Sequence, residues 1–380
     1  MPLLPFLLLI ILLLPDLYIW FGFVRGQVAP VWSALYWLPL LLTVIGIACF
    51  VMGYANHTIL KITFFLFLTF ALPKIMFSLF SVIGKGLALF EPRFSYIGIG
   101  FAVVISFCTF IMSTYGFIWG WQRIVNRSIK IETPHLPKAF NAYKIIQISD
   151  LHLGTFGQNT EMVHYMVNEI NALNPDLIVF TGDLINIAPE ELKPFSAELS
   201  RLKAADGVLS ILGNHDYSTY HPNKSIMGRK ARLNKLIEMQ RAMGWQLLMN
   251  ESRFITRGSD TLVIAGVENV ARPPFPSYGD LKKAMTHVSP DAYVVLLTHD
   301  PTHWRREVLQ HYPNIKLTLS GHTHAMQFKL DSFSPSQWIY DEWGGHYEEQ
   351  GQHLNVSTGA GSNIPFRFGA WPEYVEIVLK

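Results

Sequence analysis

The chain has only two cysteines among 380 residues, and both, Cys49 and Cys108, fall in apolar stretches of its first third. That excludes a disulfide framework and a thiolate zinc site, so any metal must be held by oxygen and nitrogen ligands. Charge is scarce too: Asp, Glu, Lys and Arg make up 15% of the residues, with a formal net charge of +2. There is no basic arm to track phosphates, which argues against a nucleic-acid partner. No internal repeat and no low-complexity tract stands outside the apolar runs.

What is abundant is hydrophobic side chain, half of the total, concentrated in the first ~120 residues. Four runs follow one another, at 2–24, 27–55, 59–82 and 94–122. Each reaches the ~20 residues needed to span a hydrocarbon core. Trp20, Trp32, Trp37, Trp119 and Trp121 lie near run ends, where an interfacial belt forms. The first run has no basic stretch before it and three more runs after it, which argues against a cleaved leader. The expectation is therefore an all-α, four-helix transmembrane region over 1–122, a multi-pass integral membrane protein. Asp16 and Lys74 are the costly residues within it. No chain of intramembrane acids accompanies them, so they are read as structural rather than as an ion path. With four spans, Lys61, Arg123, Arg127 and Lys130 share one side, against Arg25, Lys85 and Arg93 on the other. That balance favours a cytoplasmic C-terminal domain.

Residues 123–141 read as a linker, since Thr133-Pro134-His135-Leu136-Pro137 cannot continue a helix. From 142 to 380 short apolar runs alternate with amphipathic segments, the pattern of βαβ units and a largely parallel sheet. Strands are expected at 143–148, 176–180, 208–212, 293–297, 315–319 and 324–330, with helices at 160–173, 190–203 and 223–243.

Five polar clusters sit at the ends of such runs, where open α/β sheets place ligands. They are Asp150-Leu151-His152, Gly182-Asp183, Gly213-Asn214-His215-Asp216, Thr298-His299-Asp300 and Gly321-His322-Thr323-His324. Hard divalent metals prefer carboxylate, amide and imidazole donors, and a two-metal site needs a short carboxylate as a bridge. Asp150 and His152 can converge in the turn after their strand, and Asp183 is the natural bridge. Asn214 offers an amide oxygen, and His299, His322 and His324 complete two coordination shells. His164, His221, His287, His303, His311, His346 and His353 are read as ordinary core or surface histidines.

In this order D-x-H, G-D, G-N-H-D, a lone His and G-H-T-H resemble the calcineurin-like metallophosphoesterase superfamily, over Asp150 to His324. The resemblance implies a four-layer αββα sandwich of mixed sheets with a dinuclear centre of divalent ions, whether Mn, Fe, Zn or Mg. One ion would be held by Asp150, His152, Asp183 and His324, the second by Asp183, Asn214, His299 and His322. It implies hydrolysis of a phosphoester by a bridging hydroxide. His215 would meet the phosphate and protonate the leaving oxygen, with Asp216 holding the His215 ring in its working tautomer. Substrate contacts are expected from Asn214, His215 and Arg367.

Two branches fit less well. An Arg soon after G-D, carried by protein phosphatases of the superfamily, is missing from Gly182-Asp183-Leu184-Ile185-Asn186, and no Tyr stands near Asp183 as in purple acid phosphatases. The tail from Ser357 to Glu373 resembles the membrane-associated small-phosphodiesterase branch, similar to UDP-2,3-diacylglucosamine hydrolases of lipid A synthesis. The loop 333–347 carries Trp338, Tyr340, Trp343 and Tyr347, suited to covering a lipid or nucleotide or to packing as a flap. The expected substrate is a lipid-linked or nucleotide phosphodiester or pyrophosphate, with no protein partner. The alternatives are a general phosphodiesterase on soluble or cell-envelope phosphoesters and a non-catalytic membrane sensor of a phosphorylated ligand.

Overall fold

The structure, a computed structural model, describes residues 3–52, 54, 57–133, 135–273 and 275–380. Pro2, Ala55 and Pro134, which bound or mark the segments above, lie outside the described residues. The chain divides into two compact units, Met1–Trp119 with Ile364–Phe366, and Gly120–Asn363 with Arg367–Lys380.

The first unit is helical. Among the described residues three helices, Pro30–Val51, Thr58–Leu87 and Arg93–Gln122, are long and apolar enough to cross a membrane, and Leu9–Val24 is a shorter apolar helix. Without water between helices, close backbone approach supplies much of the packing, and small residues permit it. Gly84 is such a residue: a Cβ there would stand 2.6 Å from the Gly98 Cα of the neighbouring helix. Asp16 and Lys74 form an ion pair inside this unit. The ammonium also lies 4.2 Å from the centre of the Tyr36 ring, and the Tyr36 hydroxyl donates to the Asp16 carbonyl at 2.7 Å. A lone charge here would be strongly unfavourable, whereas a paired and hydrogen-bonded one is tolerated.

Among its described residues the second unit contains twelve strands. They are β1 (Val125–Ile131), β2 (Lys144–Ile148), β3 (Leu177–Phe180), β4 (Val208–Ser210), β5 (Gln246–Leu247), β6 (Glu251–Arg257), β7 (Asp260–Gly266), β8 (Tyr293–Leu297), β9 (Ile315–Ser320), β10 (Gly345–Glu349), β11 (Gln352–Val356) and β12 (Glu373–Leu379). One sheet runs β1-β12-β2-β3-β4-β5, the other β10-β11-β9-β8-β7-β6. Both are mixed. In the first sheet β12 is antiparallel to β2, and in the second β10 and β6 are antiparallel to their neighbours.

Alternate side chains of each strand point to opposite faces, so each sheet feeds two cores. Ile145, Val179, Leu209, Ile264, Val295, Leu317 and Ile377 pack together between the sheets. The alternate residues Ile146, Ile148, Ile178 and Phe180 meet Val163, Met166, Val167 and Ile170 of the helix Glu161–Ala172. On the far side Val263, Val294 and Leu296 meet Leu281, Trp304 and Val308. The result is the four-layer αββα sandwich of mixed sheets.

Three local expectations change. The segment 123–141 is not only a linker, because β1 occupies Val125–Ile131 and pairs in parallel with β12. Its signal was the period-two alternation of Val125, Arg127, Ile129 and Ile131 with exposed Asn126, Ser128 and Lys130. The expected helix at 190–203 breaks into short turns at Pro189–Leu192 and Ser196–Leu199, because Pro194 removes a donor and clashes with the preceding turn. The expected strand 324–330 instead begins as a tight turn, with Ala325, Met326 and Gln327 all at positive φ.

Candidate metal centre

Five loops meet at one edge of the sandwich, three from the first sheet and two from the second. Asp150 and His152 follow β2, Asp183 follows β3, and Asn214 and His215 follow β4; His299 follows β8, and His322 and His324 follow β9. Each loop leaves the C-terminal end of a parallel strand, so every ligand candidate arrives at the same rim. The backbone bends sharply there. Asp150, His152, Asp183, His322 and His324 all have φ between 47° and 76°, a region that non-glycine residues rarely occupy and that marks strain held by the surrounding fold. Gly182, at φ 98°, lets the loops close in, because a Cβ would stand 2.6 Å from the Gly213 nitrogen.

The side chains converge. His152 Nε2 lies 3.0 Å from His324 Nε2, and His324 Nε2 lies 3.4 Å from Asp150 Oδ1. Asp183 Oδ2 is 3.6 Å from His152 Nε2 and 3.2 Å from His299 Nε2, so this carboxylate stands between two groups of imidazoles. His322 Nδ1 faces His299 Nε2 at 3.3 Å. Asp150–His152–His324 and Asp183–His299–His322 each bring three donor atoms within reach of a single ion.

Hydrogen bonds behind the rings select which nitrogen turns inward, as at metal-binding histidines generally. His299 Nδ1–H donates to the Thr181 carbonyl at 2.8 Å, leaving Nε2 inward. His322 Nε2–H donates to the Tyr340 hydroxyl at 3.0 Å, leaving Nδ1 inward. Asn214 donates through Nδ2 to the Tyr220 hydroxyl, while its Oδ1 is buried without a donor. A buried acceptor with no donor is costly, and a cation in the cavity would satisfy it. The donor set fits two hard or borderline divalent ions.

Burial shapes the charges of these groups. It pushes His152 and His324 well below the ordinary imidazole value, which keeps both rings neutral. For Asp183 burial acts upwards, but His299 first and then His215 outweigh it and hold the carboxylate well below its usual range. Burial would lower His299, yet Asp183 and Asp150 raise it to about 10, so its imidazolium is the counter-charge of the carboxylates. That cationic role is the one a divalent ion would take over.

Two expected roles are corrected by the geometry. Asp216 does not hold the His215 ring. Its carboxylate accepts from the backbone N–H groups of Asp183, Leu184, Ile185 and Gly213 at 2.9–3.3 Å, clamping the second and third motif loops together. Burial and the neighbouring Asp183 carboxylate push Asp216 up to about 7 despite those donors. The His215 ring is held instead by the Asn186 carbonyl, 2.8 Å from Nδ1, and is stacked by Tyr220 at 4.3 Å.

Arg367, expected to reach a phosphate, is fully buried. Its guanidinium donates to the carbonyls of Thr358, Gly361 and Ala370 and to His324 Nδ1. A guanidinium can only donate. The neutral His324 ring therefore carries its proton on Nε2, facing Asp150. An ion held through Nε2 would need that proton on Nδ1 instead, with the guanidinium kept on its carbonyl partners.

These side chains open onto a cavity of about 500 Å³ lined by Asp183, Asn214, His215, His322 and His324 together with Phe275, Met326, Ile339 and Tyr340. Tyr220 and Tyr340 were not among the expected site residues. Nothing periodic marks Tyr220, whereas Tyr340 belongs to the aromatic loop already noted. Tyr340→Phe removes the partner of His322 Nε2 and is expected to weaken Mn²⁺ affinity about tenfold. A Mn²⁺ titration of the purified chain checks this; unchanged affinity would make the contact incidental.

Residues 143–326 match the family model of the calcineurin-like phosphoesterases. Residues 1–121 match that of the probable calcineurin-like phosphoesterase transmembrane domain. A transmembrane protein with metallophosphoesterase domain from Danio rerio is 28% identical over 72% of this chain and 61% of its own length. The chain likewise spans 61% of a Bos taurus protein of the same description. An uncharacterized metallophosphoesterase of Helicobacter pylori is 30% identical over 71% of this chain and 70% of its own. The UDP-2,3-diacylglucosamine pyrophosphatase LpxG of Chlamydia trachomatis is 28% identical over 70% of this chain and 94% of its own. Motif order, fold and these likenesses agree: the chain belongs to the calcineurin-like phosphoesterase family, in a form preceded by apolar membrane helices.

Proposed function

We propose that the chain hydrolyses phosphoesters at a dinuclear divalent-metal centre, and that its substrate is a lipid-linked phosphodiester or pyrophosphate such as UDP-2,3-diacylglucosamine. The hydrolase reading rests on one observation, the convergence of Asp150, Asp183, the unpartnered Asn214 oxygen and four imidazoles at one strand edge. Asp150, His152, Asp183 and His324 would hold one ion, and Asp183, Asn214, His299 and His322 the other. When bound, such a pair supplies Lewis-acid stabilisation of phosphoryl oxygens and an acidified water.

The chain's own groups have distinct tasks. Asp183 Oδ1 accepts from the His215 backbone N–H at 2.8 Å, which fixes the carboxylate so that Oδ2 faces both groups of imidazoles. His215 keeps Nδ1–H on Asn186, so Nε2 is free to meet a phosphoryl oxygen. Protonated at Nε2, it would donate to the leaving oxygen. Asp216 holds the loops, and Arg367 positions His324 rather than contacting substrate.

The lipid-linked substrate is supported by the name of the Chlamydia trachomatis relative and by the apolar helices. Lys61, Arg123, Arg127 and Lys130 against Arg25, Lys85 and Arg93 favour a cytoplasmic catalytic unit on a four-span topology. The test is UMP release from UDP-2,3-diacylglucosamine by metal-stripped, Mn²⁺-reconstituted protein, beside cleavage of bis-p-nitrophenyl phosphate. Turnover of both supports the full proposal. Turnover of the aryl diester alone removes the lipid substrate and keeps the hydrolase, and turnover of neither removes both.

A further inference from the structure

Most large apolar side chains of the second unit lie in its three core layers, but one group stands out in solvent beside the cavity. Trp338 is 74% and Ile339 59% exposed, and Met326, Leu330 and Phe333 are exposed with them. Leaving one such side chain in water forgoes ~1.5–3 kcal/mol of burial, so five together call for an occupant.

The segment is not a loose tip. The Leu330 and Phe333 backbones exchange hydrogen bonds at 2.9 and 3.0 Å. Ser334 Oγ donates to the Ala325 carbonyl at 2.7 Å, and Ile339 N–H donates to the Ser336 carbonyl at 3.0 Å. The Phe333 and Trp338 rings meet edge to face, 5.6 Å between centres. These contacts present a fixed apolar shelf.

The shelf is continuous with the candidate site. Met326 and Ile339 line the same cavity as Asp183, Asn214 and His215, and Ile339 joins the exposed Trp338 to it along the chain. One end of the combined surface is suited to a phosphoryl group and the other only to hydrocarbon, the polarity of an amphiphile. We infer that the shelf is an alkyl-chain subsite: the phosphoester enters the cavity while the hydrocarbon of the same molecule lies across Met326, Phe333, Trp338 and Ile339. The inference rests on the phosphoesterase reading and assigns its substrate class, a phosphoester carrying at least one alkyl or acyl chain.

Equilibrium binding tests it without turnover. Ethyl-, butyl-, hexyl- and octylphosphonate are titrated calorimetrically into the full chain in nanodiscs, with partition into empty nanodiscs subtracted. Affinity is expected to rise about fourfold per added methylene, the size of a buried CH₂ contribution. Trp338→Ser with Phe333→Ser flattens the series, lowering octylphosphonate affinity at least ~10-fold, whereas Trp338→Leu, which keeps an apolar surface, preserves the slope. Binding that ignores chain length, or a slope that survives the double substitution, overturns the subsite. Failure of every phosphonate to bind, ethylphosphonate included, would instead overturn the phosphoesterase reading beneath it.

Discussion

Asp183→Asn is expected to lower cleavage of bis-p-nitrophenyl phosphate by at least ~10³-fold, because it removes charge from the group on which both halves of the site depend. Asp183 Oδ2 is the atom that faces His152 on one side and His299 on the other. Asparagine keeps the shape of the side chain and tolerates the positive φ of 59°, so the fold should survive. The loss then reports on charge and not on unfolding. Steady-state turnover at saturating Mn²⁺, with a thermal melt as control, decides it; turnover within tenfold of the native chain would deny Asp183 a bridging place.

The second large effect is expected at His215, by a different route. His215→Ala should reduce turnover ~10²- to 10⁴-fold, the usual contribution of a general acid, while leaving the amount of bound Mn²⁺ unchanged. The ring is oriented by the Asn186 carbonyl and the Tyr220 face, and it lines the cavity. Its loss should fall mainly on substrates with poor leaving groups, since p-nitrophenolate departs without a proton. A matched pair of diesters, aryl and alkyl, separates the cases. A fall in metal stoichiometry would make His215 a ligand, which its place beside His152 and Asp183 permits geometrically.

The ordered Asp, Asn and His clusters are legible in the sequence because each follows an apolar run by one to four residues. A strand end is a local feature, so chain spacing alone brings such side chains to a common rim. The runs alone read as one largely parallel sheet; the two-sheet sandwich is implied only by the family resemblance of the motifs.

Partners set by the tertiary fold are not legible. Asp216 follows His215 and reads as its partner, yet the turn directs the carboxylate to four backbone donors on two loops. Arg367 reads as a phosphate contact because nothing in its neighbours shows that Thr358, Gly361 and Ala370 curl their carbonyls around it. Strand β1 was masked by the prolines that follow it, although its alternation was present. Tyr220 reaches His215 through a turn whose left-handed Ser218 carries no signal that residue type alone would reveal.

The most direct test is to count ions. Equilibrium dialysis of the metal-stripped full chain against Mn²⁺ should give two ions per chain, with diester cleavage appearing only as both sites fill and with Asp183→Asn retaining fewer than two. No stoichiometric Mn²⁺ binding, or cleavage that persists in excess chelator, would contradict a dinuclear metal centre built from these residues.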